Sequence, residues 1–265
     1  MGGKIGRGRR CALLSAVCGG FVILLHGCGV TANPDDMLNR ALSGVGGQDQ
    51  VRFEGLAEIC VGEDMLLTKQ FRYEGEMKQY KGVHMKLSAD MDQRTTAKRW
   101  NPVAQMDQLL RMGNKQVSFL PEADARVGAK GTTGQENKAE QEGRDLVPLQ
   151  VTLSNEEAKR IYINQLEEDY KRIIIPSEPY QKIRRSLSEQ ERNKLDAELK
   201  SIVDRSRADL DQKLKDASIA GRYVVWVERR HSLPVILEGW LTAGYNDNGK
   251  ERRETVHTKT RFTYK

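Results

Sequence analysis

Histidine is scarce in this chain of 265 residues, and the scarcity removes much of the chemistry a sequence can announce. His26, His84, His231 and His257 never pair at metal-ligand spacing, and the last three fall in expected strands or turns among charged neighbours, where a structural role is expected. Neither a G-x-S-x-G nucleophile elbow nor an H-E-x-x-H zinc motif is present. Gly244, four further residues and Gly249-Lys250 approach a phosphate loop. Glu251, however, stands where Ser or Thr would hold magnesium, and strands flank the segment, so a hairpin turn is expected. Acidic runs such as Glu156-Glu157 and Glu167-Glu168-Asp169 lie on expected helices, where adjacent side chains point apart and cannot act as a catalytic pair. No catalytic residue, metal site or cofactor is therefore expected, and the protein is not read as an enzyme. Long apolar runs are missing as well. The mostly apolar run Cys11 to Leu25 is shorter than the roughly 20 residues of a spanning helix and contains Gly19-Gly20.

That stretch follows Lys4, Arg7, Arg9 and Arg10, with no acid among the first ten residues, which is the order of a secretory signal. At its end Leu25-His26-Gly27-Cys28 resembles the lipobox of bacterial lipoproteins, with an aliphatic residue three before the cysteine and a small one just before it. His26 departs from the small or hydroxyl residue usual at its place. The resemblance implies cleavage before Cys28 and a diacylglyceryl group on its thiol. At about 0.8 kcal/mol per buried methylene, two acyl chains hold a protein stably on a membrane. The expected organisation is a signal peptide over 1–27, a lipidated N-terminus and short linker over 28–33, and a single domain over 34–265. The expected location is outside the cell, anchored by lipid to the outer face of the membrane or to an outer-membrane leaflet.

Cleavage changes what composition means. Of the net charge of +6, four positive charges and no negative ones lie before the cut, which leaves +2. The remaining basic pairs, Arg184-Arg185, Arg229-Arg230 and Arg252-Arg253, are interleaved with acids and belong to no nucleic-acid module, so no nucleic-acid partner is expected. Of the cysteines at 11, 18, 28 and 60, only Cys60 stays free, which rules out a disulfide framework and suggests a small core residue on a strand.

Along the mature chain, Asn33, Pro34, Asp35 and Asp36 open a helix with the stripe Met37, Leu38, Ala41 and Leu42. Imperfectly alternating stretches near 51–60, 65–73 and 79–87 read as an antiparallel meander with one wet side. A helix over 102–112 and a strand over 116–120 follow. Residues 121–144, polar and without apolar periodicity, read as a mobile loop. After a strand at 146–152, the capping boxes Ser154/Glu157 and Ser188/Glu191 open two helices, an expected helical pair over 154–216. Three strands close the chain, with a turn expected at Leu233-Pro234 and another at Asn246 to Gly249.

The run Tyr223-Val-Val-Trp226-Val-Glu228-Arg-Arg-His231-Ser-Leu233-Pro234 and the strand after it resemble the strand-turn-strand unit of the LolA-like (LppX/LprG) half-barrel lipoproteins. The short helix after the lipidated cysteine and the strand with Phe53-Glu54-Gly55 fit the same pattern. The resemblance spans about 35–90 and 220–264 and leaves out 121–144 and the helical pair. It implies an α+β fold whose curved antiparallel half-barrel carries an N-terminal helix, with the helical pair inserted before the last three strands. It also implies a hydrophobic cavity for a lipid or other apolar ligand, which Trp226 and Trp240 are the candidates to line. Two functions are expected from different classes. One is a membrane-anchored lipoprotein that binds or shuttles a lipid; the other is a structural or interaction lipoprotein with a filled core, whose helical pair meets an envelope protein.

Overall fold

The computed structural model describes residues 33–62, 66–78, 82–87, 100–121, 145–174, 178–247 and 249–265. Cys28 and, of the expected loop at 121–144, residues 122–144 lie outside these residues. Pro34–Lys265 forms one unit. It is α+β, with an open antiparallel sheet of eight strands and, among the described residues, five helices.

In chain order these are α1 (Pro34–Val45), β1 (Gln50–Val61), β2 (Leu66–Lys78), β3 (Gly82–Leu87), α2 (Pro102–Arg111), β4 (Lys115–Phe119) and β5 (Leu146–Leu153). There follow α3 (Asn155–Ile174), α4 (Glu178–Ser186), α5 (Glu189–Lys215), β6 (Ser218–Glu228), β7 (Leu233–Asp247) and β8 (Lys250–Tyr264). The strand order is β3-β2-β1-β8-β7-β6-β5-β4. The chain's last strand thus fills the place beside its first, and β1 and β8 pair from Val51↔Tyr264 to Val61↔Glu254.

Side chains alternate along a strand, so this register sorts the sheet into two faces. On the apolar face Val51, Phe53, Tyr73, Val151, Ile219, Val225, Leu237 and Phe262 are buried in one cluster. Leu38, Ala41, Leu42 and Val45 of α1, Met106 and Leu109 of α2, and Ala158, Ile161 and Tyr162 of α3 complete it. Each large side chain sequestered there is worth about 1.5–3 kcal/mol. Two glycines make room for tyrosines lying across the strands. A Cβ on Gly55 would fall 2.3 Å from the Tyr73 ring, and one on Gly239 would fall 2.7 Å from the Tyr223 ring. Tyr73 continues over Gly55 to share a 2.6 Å hydrogen bond with Thr260.

Local signals set the helix ends. Pro34 starts α1 ahead of Asp35 and Asp36, whose charges suit the positive end of the helix. Asn101 caps α2, its side chain accepting from the amides of Val103 and Ala104. Ser188 and Glu191 form a reciprocal capping box on α5. Ser154 accepts from the Glu157 amide at the start of α3.

Three details differ from the sequence reading. The segment between β5 and β6 holds three helices where two were expected. The added α4 is tied to α5 by Arg184, which donates twice to Asp196, and by the Tyr180 hydroxyl at 3.0 Å from the same carboxylate. The turn between β6 and β7 lies over residues 229–232, where Ser232 takes a φ of 53°. Leu233 and Pro234 already belong to β7, and a bulge beside Pro234 accommodates the missing amide hydrogen.

Candidate functional site: a histidine between two carboxylates

On the opposite, polar face one row of residues crosses five strands. Arg222 on β6 pairs with Trp240 on β7, Trp240 with His257 on β8, His257 with Glu58 on β1, and Glu58 with Gln70 on β2. The side chains of this row touch in sequence. The Arg222 guanidinium lies 4.3 Å from the centroid of the Trp240 ring. The Trp240 and His257 rings stack with centroids 5.0 Å apart and planes 13° apart. His257 Nδ1 meets Glu58 Oε2 at 2.9 Å, and Gln70 donates to Glu58 Oε1 at 2.8 Å. From the adjoining row Glu238 Oε1 reaches His257 Nε2 at 2.9 Å.

Each ring nitrogen of His257 therefore faces a carboxylate. A neutral imidazole has a single N–H, so only the imidazolium can donate to both. Burial works against that charge, but the hydrogen bonds to Glu238 and Glu58 outweigh it and hold the titration of His257 above the ordinary histidine range. The carboxylates are deeply set: Glu58 is 7% exposed and Glu238 1%. The second oxygen of Glu238, Oε2, is buried without a hydrogen-bond partner among the described residues.

Chemically the cluster is a charge-assisted bridge joining β1, β8 and β7. With both nitrogens engaged, His257 presents none to a substrate or metal. Among the described residues no three His, Cys, Asp or Glu side chains are placed to hold a metal ion. Cys60 stands on the same face, two residues along β1 from Glu58 and paired with Thr255, instead of in the core where the sequence suggested it. Burial, and behind it the negative charge of Glu58, pushes its thiol up, away from the reactive thiolate.

Trp226 and Trp240 both stand on this polar face, since they share strand parity with Val224 and Glu238. Trp226 is buried in a small second cluster with Val224, Val235 and Ile236, against which Leu120, Leu146 and Trp240 pack. A cleft of about 680 Å³ opens further along the sheet over β8, β1, β2 and β3. Charged side chains including Arg52, Glu54, Glu74, Glu76, Lys86 and Arg261 line it; neither tryptophan does. His84 also borders that cleft, while His231 is exposed at the β6–β7 turn and bonded to Glu228 at 2.7 Å. Sequence reasoning missed the grouping of His257, Glu58 and Glu238 because nothing local marks it.

Among the described residues no helix is long and apolar enough to cross a membrane. No protein-family model matches the sequence, and no curated protein is similar enough to it to count as a relative.

Proposed function

We propose that this chain is a cell-envelope lipoprotein, exported and anchored through a diacylglyceryl group on Cys28, that works by contact with an envelope protein and carries no lipid in its core. The observation that supports the last part is the filling of the apolar face. The space over the sheet is taken by the protein's own side chains, among them Leu38, Leu109, Ile161 and Phe262, each at most 1% exposed. In this reading the open sheet is a half-barrel of the LolA-like kind whose hollow α1, α2 and α3 occupy. The anchor rests on the charged start, the apolar run and the four residues Leu25 to Cys28. The helical segment is the partner surface: α5 carries no buried residue, and Ile183 and Ile202 are 58% and 54% exposed.

Two measurements test the reading. Cys28→Ser is expected to release the protein from membranes or to leave an unprocessed precursor, and unchanged processing with full membrane retention refutes the anchor. Native mass spectrometry of the full chain is expected to show the covalent acyl groups and no further lipid. A stoichiometric non-covalent lipid returns the protein to the carrier class.

A further inference from the structure

We infer that the Glu58–His257–Glu238 bridge is a proton-controlled latch on the polar face of the sheet, closed while His257 carries two ring protons and released at Glu238 and Trp240 when it loses one. Donor counting and strand register carry this latch, whether or not the chain is anchored to a membrane. Two carboxylates face one ring at 2.9 Å each. Removal of one proton turns one of those contacts into a lone pair facing a carboxylate.

The surroundings decide which side gives way. Glu58 keeps a second partner, because Gln70 from β2 donates to its other oxygen. The other oxygen of Glu238 has none among the described residues and is buried. A Glu238 freed from His257 has a cation within reach, since Lys259 stands directly across from it on β8. Among the described residues, Cys60 on β1 and Arg72 on β2 are the remaining titratable or charged neighbours of the Glu58 side. On β6 only Arg222 faces the cluster, from beyond the indole. Deprotonation therefore moves Glu238 toward Lys259 and removes the cation from one face of Trp240. The indole keeps Arg222 against it and is left stacked on a neutral imidazole, without the cation–π attraction that had favoured the stack. A partner touching this face would meet a more negative surface and a freer tryptophan at high pH.

Trp240 also reports on the latch, since a protonated imidazole stacked on an indole quenches it. The full-length protein is titrated by tryptophan fluorescence and by acrylamide quenching, with ¹⁵N-histidine NMR to assign the step. The expected result is a rise in emission and in quenchable tryptophan with a midpoint above 6.5, coincident with loss of one His257 ring proton. Trp240→Phe is expected to abolish the optical step while leaving the NMR step. Glu238→Gln and Glu58→Gln are each expected to lower the midpoint, the surface of the protein being otherwise unchanged. A His257 midpoint at or below the ordinary value overturns the proposal. So does a raised midpoint with no change in the accessibility of Trp240, because the bridge would then be a static strut.

Discussion

His257 and Glu58 stand directly opposite one another on β8 and β1, joined at 2.9 Å although 199 residues separate them in the chain. The contact exists only when the two strands are paired, so its free energy belongs to the folded state alone. Because the folded protein holds the titration of His257 above its ordinary value, the contribution has a definite sign with pH. It is fully present below the unfolded value of about 6.5 and is lost as pH rises through the folded value. The urea midpoint is expected to fall over that window in the native sequence. In His257→Gln, which cannot titrate, that part of the slope should vanish. Parallel pH profiles for the two proteins would mean that the titration of His257 does not change on folding.

Gly55→Ala tests the packing of the other face. The added methyl would sit 2.3 Å from the Tyr73 ring, inside any tolerable contact, and the ring is 3% exposed with its hydroxyl held by Thr260. Overpacking of this kind costs about 1–3 kcal/mol. Placing the same alanine in a Tyr73→Ala background removes the clash, so the cost should be much smaller there. Chemical denaturation of the four proteins in the double-mutant cycle gives the coupling. Additive losses would mean that Tyr73 does not lie over Gly55.

The faces of the strands were legible in the sequence because period two is a local property. The alternation that buries Tyr223, Val225 and Val227 also puts Trp226 opposite them, and the Glu238 to Trp240 spacing places that tryptophan on a face with a carboxylate. The same parity sets Cys60 beside Glu58, where attention to residue type alone suggested a core thiol. Capping chemistry located the starts of α3 and α5, since Ser154 and Ser188 act within three residues. The helix α4 left little trace, with Tyr180 and Ile183 its only large apolar residues. The site itself was not legible. Glu58, Glu238 and His257 are ordinary charged strand residues until the order β1-β8-β7 brings them together, and that order follows from which strands pair across the whole domain.

Ser188→Ala addresses a helix with little else to hold it. No residue of α5 is buried, so packing stabilises it weakly and its N-terminal hydrogen bonds matter more. The Ser188 hydroxyl accepts from the Glu191 amide and donates to the Glu191 carboxylate at 2.6 Å; that bond, and behind it the one from the Ser188 amide at 2.9 Å, holds the Glu191 carboxyl below its usual range. Loss of an N-cap costs about 0.5–2 kcal/mol. Hydrogen exchange is expected to speed up in the first turns of α5 while the amides of β7 and β8 keep their protection. Equal acceleration in the sheet would mean that the helix and the sheet unfold as one unit.

Leu38→Ala bears most directly on whether the core is filled. Leu38 is fully buried on α1, within the cluster that covers the apolar face of the sheet. Truncation removes three carbons from a site walled by strands and helices. The expected loss of stability is about 2–5 kcal/mol, larger if the walls do not collapse. An apolar cavity of this origin stays dry and accepts small apolar molecules. The native protein should therefore show no thermal stabilisation by benzene, whereas Leu38→Ala should gain some in proportion to benzene concentration. If the native protein is already stabilised by benzene or a short alkane, a cavity exists beside the helices, and the lipid-carrier reading becomes the better one. If neither protein responds while Leu38→Ala loses stability as expected, the walls have closed on the gap, which still describes a core without room for an acyl chain.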